Sequence, residues 1–588
     1  MSGHIISRIV IENFRSFQKE EIALSAFTPL VGKNNAGKSN LLAAIRWLIS
    51  KSVLSKSEYN KADIPIIVEG TVSGVSDDII ERLDQVHARK IKPFVHEQTV
   101  TLRREQKVDA SSAKDITLSL FDPTAGTWKE NPSGIDNAIK ALFPEPIVIG
   151  AMENAADDVA KFGKSSSIGR LLTEIIEPIR EVHAKSIRDA LESVEKSFSA
   201  NSAEKDDALI ALDERLQKEV ANFFPGIVPK THIPVPGLDD FLKSATIKIF
   251  EDGYPNERDA AEMGHGAQRS IQMGLVTCLS EVRREKEEKN PTTTMLMLDE
   301  PELYLHPQAV ELVRSALSSL SQRGYQVLFS THSADMIDRS DAENVVLVRK
   351  SDERGTHVRR SLREAVTTAI ADAPSQSEML FSLTNSSKIL FTERVLLVEG
   401  STELRVFPHV FRKCKGKTLA EFGVGLVEID GSGSLQKAKA VLEAMDIPTV
   451  ALVDLDYAFK EPPSDREKRY DDAVNGCRKV FVDLEAAGEL ELGDDGYPKK
   501  STICSASRGF EKLAESPDAQ PHIEVMRDVL KSVQLWLWSM GTIETHLGLE
   551  GKKPAHHAAF LKRLDKERDL AFISDEDGVR EFCDWLLR

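Results

Sequence analysis

The stretch PLVGKNNAGKSNLLAAIRWLI, residues 29–49, decides how the chain begins to fold. A short apolar run stops at a glycine, a loop of small and polar residues follows, and apolar residues then recur at helical spacing. This reads as strand, loop and helix. Gly32 to Ser39 fits the pattern GxxxxGK[ST] in the strand-to-helix context that the pattern requires. The glycines, with Asn34 and Asn35 between them, let backbone N–H groups close around phosphates at a helix N-terminus. Lys38 is placed to reach the β- and γ-phosphates and Ser39 to bind Mg²⁺.

Outward from this loop the α/β rhythm continues. Short strands precede it (IISRIVIENF, EIALS), and further strand-like runs (IPIIVEGTV, EQTVTLRR, DITLSLFD, PIVIGAM) lie between residues 60 and 150. From about Pro178 to Pro225 the periodicity changes. Ile187, Leu191, Val194 and Phe198, then Leu209, Leu212, Leu216 and Val220 after the polar break SANSAEKDD, predict a helical hairpin that interrupts the domain at about 176–226. Strand signals return at ATIKIF, TTTMLMLDE, YQVLFST and NVVLVRK. A polar segment near TNSSK separates them from a fresh series, ERVLLVEG, GLVEIDG and TVALVDLD, so a domain boundary is expected at 385/386.

With 588 residues, 41% hydrophobic and 29% charged, the chain has the composition of a globular protein of several domains. No apolar run reaches the ~20 residues of a membrane helix, and the first residues lack the pattern of a signal peptide, so no membrane contact and a cytoplasmic location are expected. Five scattered cysteines with no CxxC predict neither a disulfide framework nor a zinc ribbon. The net charge of −17 argues mildly against a nucleic-acid partner, although a local groove or bound divalent ions can reverse that balance.

Two groups of residues carry further chemistry. TMLMLDEPELYLHP is an apolar strand ending in Asp299, able to hold the Mg²⁺ shell, and Glu300, able to orient an attacking water; VLFSTHS then delivers His332 towards a γ-phosphate. Later, RVLLVEGSTELRVF ends a strand at Glu399 and Gly400 and carries Glu403 on the following helix. VALVDLDYAF, 450–459, ends another strand on Asp454 and Asp456. If those aspartates lie in the strand they share a face, and like charges so close call for a cation between them. Carboxylates at strand ends suit Mg²⁺ or Mn²⁺ rather than Zn²⁺.

The first half resembles the ABC-type ATPases of repair and chromosome maintenance: Gly32–Ser39 matches their phosphate loop, Asp299 and Glu300 their second motif, His332 their switch histidine. GHGAQRS, residues 264–270, is a degenerate form of their signature, without its usual leading Leu-Ser. That resemblance implies ATP with Mg²⁺, and a homodimer or higher oligomer in which Gly266 and Gln268 cap ATP bound by the opposite subunit. The helical hairpin is then a candidate dimerisation arm. The second half resembles a Toprim domain through Glu399, Asp454 and Asp456, and the joined order resembles the OLD (overcoming lysogenization defect) family of endonucleases over nearly the whole chain. The fold so implied is α/β: an ABC-type P-loop ATPase domain with a helical insertion, 1–385, followed by a Toprim-like domain with a parallel sheet and a helical C-terminal region, 386–588. The resemblance further implies DNA as substrate, two Mg²⁺ or Mn²⁺ ions at the nuclease site, completion of that site by Glu544 and by Lys553 or Lys562, a role in anti-phage defence or DNA repair, and a helicase as partner. An ATP-gated DNA clamp without cleavage is the alternative reading. His556 and His557, adjacent and so diverging on a helix, are expected to be structural.

Overall fold

Strands that are apolar on both faces require both faces to be covered, whereas strands that alternate apolar and polar need only one. The computed structural model contains both kinds, and describes residues 3–143, 146–151, 167–224, 226–234, 247–250, 256–259, 262–285, 293–369, 386–429, 432–463 and 466–588. The chain divides into two compact units, Met1–Thr28 with Ser39–Met336 and Pro29–Lys38 with Ile337–Arg588.

In the first unit the alternating strands form an antiparallel sheet in the order Lys19–Ala23, Ile5–Glu12, Ile66–Ser73, Thr99–Gln106, Ile116–Asp122, Thr127–Glu130. Burial alternates residue by residue along Ile66–Ser73 and Thr99–Gln106, as expected for a sheet with one face on the core. The continuously apolar strands Ile147–Ile149, Thr294–Asp299 and Tyr325–Thr331 are instead parallel neighbours. Leu296, Leu298, Val327 and Phe329 pack there with Met273, Val276 and Leu317 from the flanking helices. Their shared direction brings Asp299 and Thr331 to the same edge.

The interruption expected at 176–226 consists of two helices, Ser167–Phe198 and Asp207–Ala221. The apolar stripe is incompletely covered: Ile187, Leu191 and Phe198 are half-buried, while Val194, Leu212 and Leu216 are exposed. Buried Lys205 ties the region together by donating to the Thr231 carbonyl (2.8 Å) and pairing with Asp213.

The second unit carries the phosphate-loop segment on strands Val346–Ser351 and Gly355–Val358. Gly37 has φ +111°, and a Cβ there would lie 2.3 Å from the Thr356 hydroxyl, so only glycine fits. Thr356 in turn donates to the Ala36 carbonyl (2.9 Å). The remainder is built on a four-stranded parallel sheet, in the order Val424–Glu428, Arg394–Val398, Thr449–Val453, Leu535–Leu537. Val395, Leu397, Ala451 and Val453 enter one core and Leu396, Val398, Val450 and Leu452 the other, which is why these strands read as unbroken apolar runs. The expected boundary at 385 abuts residues 370–385, which lie outside the described residues. The compact units divide earlier, at Met336/Ile337, because Leu362 and Ala365 share a core with Leu435, Ala438 and Val441.

His4, fully buried, has Nε2 2.7 Å from the Leu142 carbonyl and stands edge-on to Phe143. Burial, opposed by that hydrogen bond, pushes its pKa down to about 4. The unfolded chain therefore binds the extra proton first as pH falls. The stability contributed by neutral His4 is complete above pH ~6.5, declines below it, and is gone near pH 4, roughly 3 kcal/mol in all. Urea unfolding at pH 7 and pH 4.5 should show a smaller acid loss for His4→Gln than for the parent; equal losses would place the acid sensitivity elsewhere.

Candidate active sites

At the first site the parallel strand Thr294–Asp299 supplies Asp299 at its end, and both of its oxygens are engaged. Ser39 Oγ donates to Oδ2 at 2.8 Å and Ser330 Oγ donates to Oδ1. The hydroxyl and carboxylate expected to share a Mg²⁺ are thus adjacent. Glu300 follows with φ +48°, a left-handed conformation that costs a non-glycine residue free energy. Its N–H is held by Ser330 Oγ (3.0 Å), and His332 Nε2 lies 3.2 Å from its Oε1. Glu302, not foreseen from the sequence, accepts from Thr331 Oγ1 (2.7 Å) and from the His332 N–H (2.8 Å), fixing the backbone that carries the histidine.

Lys38 is buried and folds back over its own loop, donating to the carbonyls of Gly32 (2.9 Å) and Lys33 (3.1 Å), while Asn34 and Asn35 are exposed at the crest. Gly266 and Gln268 sit on the first turn of helix His265–Glu285. Gln268 is buried and its amide donates to Met263 O (2.8 Å), so this side chain faces inward rather than outwards. The neighbouring Arg269 is also turned inward. It donates to the carbonyls of Asp299 (2.8 Å) and Glu300 (2.6 Å), tying this helix to the carboxylate turn.

The second site lies wholly within the second unit. Strand Arg394–Val398 ends immediately before Glu399, and Glu403 sits one turn into the helix Ser401–Arg405. The glycine between them leaves room for the Glu403 carboxylate: a Cβ on Gly400 would lie 2.6 Å from Glu403 Oε2, so a larger residue would push that carboxylate aside. Asp454 and Asp456 depart from the expected geometry. Strand Thr449–Val453 stops before Asp454, and Asp456 has helical φ/ψ at the start of a single turn, so strand alternation is not what relates them. Backbone bonds from Trp538 N to Val453 O (2.9 Å) and from Leu455 N to Gly541 O (2.7 Å) bind the Asp454 turn to the loop that leads into Ile543–Leu547, the helix carrying Glu544.

The cation beside Asp456 is the Lys460 ammonium, 2.9 Å from Oδ2. The one facing the other acids is Lys552, 3.7 Å from Glu544 Oε2 and 3.9 Å from Asp454 Oδ2. Among the described residues neither Lys553, which precedes the helix Pro554–Lys566, nor Lys562 on that helix makes an ion pair with these carboxylates. Lys562 lies on the exposed face of that helix.

The electrostatics are those of acids out of water. Burial, then the charge of Asp456, pushes Glu399 up to about 7; burial, then the charge of Glu544, outweighs a backbone hydrogen bond and pushes Glu403 up to about 7. Asp454, with its side chain 21% exposed, is raised well above the usual carboxylate range by burial and by Glu403. Lys552 pays a burial cost to its charge, yet Asp454, Glu544 and Glu403 together hold it above the ordinary lysine value. Glu399 Oε1, Asp454 Oδ1 and Glu544 Oε2 are buried without a hydrogen-bond partner. Such oxygens are costly unless something positive meets them, and they suit a hard divalent cation. Among the described residues no three His, Cys, Asp or Glu side chains are already drawn together at metal-ligating geometry, so these acids neighbour one another without yet converging. Unforeseen from the sequence are Thr402, which donates to Glu544 Oε1 (2.5 Å), and His557 Nε2, 3.1 Å from the same hydroxyl.

Comparison with known proteins identifies the two domains that carry these residues. Residues 5–109 and 76–337 match the AAA ATPase domain family, and residues 390–456 match the family described as overcoming lysogenization defect protein-like, TOPRIM domain. The Old nuclease of Escherichia phage P2 is 36% identical over 586 residues, covering 99% of each chain. The OLD nuclease of Thermus scotoductus is 24% identical over 90% of this chain and 100% of its own. Endonuclease GajA of Bacillus cereus is 23% identical over 72% of this chain and 71% of its own. A phosphate-loop ATPase fold joined to a Toprim domain, aligned end to end with the phage protein, makes this chain a member of the OLD nuclease family, an enzyme that is both ATPase and nuclease.

Proposed function

We propose that the chain is a divalent-metal-dependent DNA endonuclease that also binds and hydrolyses ATP, and that it serves in anti-phage defence or DNA repair. The observation that carries the metal dependence is the set of buried, unpartnered oxygens on Glu399, Asp454 and Glu544 beside Lys552. Glu399, Glu403, Asp454, Asp456 and Glu544 are the residues that would hold Mg²⁺ or Mn²⁺. Two such ions, when bound, lower the pKa of a water nucleophile and stabilise the leaving oxygen of a phosphodiester. Lys552 is placed to bind a phosphate oxygen and to offset charge growing on it, a role for which Lys553 and Lys562 have no comparable position. At the other site Glu300, fixed against His332, orients water towards the γ-phosphate, while Lys38 and Ser39 bind the nucleotide and its Mg²⁺.

The two activities should separate. Asp454→Ala or Glu399→Ala should lower Mn²⁺-dependent nicking of supercoiled plasmid by roughly a thousandfold or more while ATP turnover stays near the parent's. Glu300→Gln should do the reverse to phosphate release. Nicking by both acid variants at the parent's rate would remove the nuclease assignment and favour a DNA clamp.

An acid cluster built for a cation should burden the metal-free fold. Glu403 has a folded pKa above its unfolded one, so it costs nothing below pH ~4.5, and the penalty grows to roughly 3 kcal/mol by pH 7. In EDTA, Glu403→Gln should therefore melt at a higher temperature than the parent at pH 7.5 and at nearly the same temperature at pH 4.5. A variant less stable at both would mean that the carboxylate is satisfied without metal.

The exposed apolar residues of the inserted helices, Val194, Leu212 and Leu216, with Phe223 and Phe224 beyond them, support a contact between two copies of the chain. Deleting 180–222 should reduce the mass measured by light scattering. Persistence of a dimer would assign that contact to another surface.

A further inference from the structure

We infer that Thr402 and His557 are positioning residues, a hydroxyl–imidazole relay that fixes the Glu544 carboxylate so that one of its oxygens is left free for a divalent cation. The inference rests on the reading of the acid cluster as a metal site.

All three groups are withdrawn from water: Thr402 is 1% exposed, His557 2% and Glu544 6%. Thr402 has a single hydroxyl proton, and an ionised Glu544 can only accept, so the 2.5 Å contact to Oε1 commits that proton. The threonine oxygen is then an acceptor, and His557 Nε2, 3.1 Å away, must be the donor. This fixes the tautomer of His557, with its proton on Nε2, and agrees with a buried Nδ1 that has no partner. The chain of donors runs one way, from imidazole to hydroxyl to carboxylate.

Its consequence falls on the other oxygen. With Oε1 engaged, Glu544 cannot rotate freely, and Oε2 is buried, without a hydrogen-bond partner, and 3.7 Å from the Lys552 ammonium. Thr402 also adjoins Glu403 on the helix Ser401–Arg405. One short helix thus provides one acid and grips another that lies 142 positions further along the chain. A role limited to filling space would need no hydroxyl, since valine has nearly the same shape. Partners that orient metal ligands in this way commonly change metal affinity ten- to a hundredfold when removed.

The test measures Mn²⁺ binding to the full chain without nucleotide or DNA, from the loss of the free-ion electron paramagnetic resonance signal. Thr402→Val and His557→Phe should each weaken binding about tenfold or more. Thr402→Ser should restore it, and His557→Gln, whose amide can still donate, should restore it in part. Melting curves establish that each variant is folded; should Thr402→Val fail to fold, His557→Phe carries the test. Parent-like Mn²⁺ affinity in a folded Thr402→Val or His557→Phe variant would overturn the relay and leave the metal site standing. If the parent binds no more Mn²⁺ than Asp454→Asn does, the metal-site reading falls and the relay with it.

Discussion

Carboxylates held close together away from water repel one another and lose hydration, and the second unit is organised around that constraint. Glu399 and Glu403, Asp454, and Glu544 come from three separate stretches of chain, joined through backbone bonds and a hydroxyl, with a small glycine between the first two acids. Folding brings them together against their mutual repulsion. Lys552 offsets part of it, and Glu399, Glu403 and Asp454 are displaced upward first by burial and then by the charge of neighbouring acids. A fold selected for stability alone would replace these acids with apolar or amide side chains.

The parallel sheet supplies the means. Its strands share a direction, so consecutive units deliver their last residues to one edge, and the strands ending at Val398 and Val453 are neighbours. Ligands commonly bind outside the carboxyl ends of strands in open α/β sheets. Cores on both faces hold the strands in register, with alternate residues of Arg394–Val398 and Thr449–Val453 entering each one. The rigidity needed to hold unwilling charges is therefore provided by apolar burial.

This division of labour also decides what could be read from the sequence. Continuous apolar strands, the glycine loop and the acids that close each strand are local features, and they were legible. The relation between Asp454 and Asp456 was not, because the end of a strand depends on where tertiary bonds stop: Trp538 and Gly541 take over the backbone just past Val453. Which late lysine faces the acids is likewise a tertiary matter: Lys552 and Lys553 look alike in sequence, and only the fold sets Lys552 3.7 Å from Glu544 Oε2 and 3.9 Å from Asp454 Oδ2. Thr402 carries no local signal and His557 was expected to be structural, because their relation to Glu544 arises only when 142 and 155 positions of intervening chain are folded away.

The two acidic sites solve the same geometric problem in opposite electrostatic states. At the first, both oxygens of Asp299 have hydroxyl donors and Glu300 has His332 beside it, with the backbone conformation of Glu300 absorbing some of the cost. That turn can keep its arrangement with local partners. At the second, carboxylate oxygens on three acids have no donor, so their arrangement depends on what arrives. A site of the first kind can keep its shape while nucleotide exchanges; a site of the second kind draws its acids together when positive charge enters and relaxes when it leaves. It follows that the binding of a cation should tighten the acid cluster of the second unit far more than it tightens the Asp299–Glu300 turn, because only the acid cluster has an electrostatic deficit for the cation to relieve.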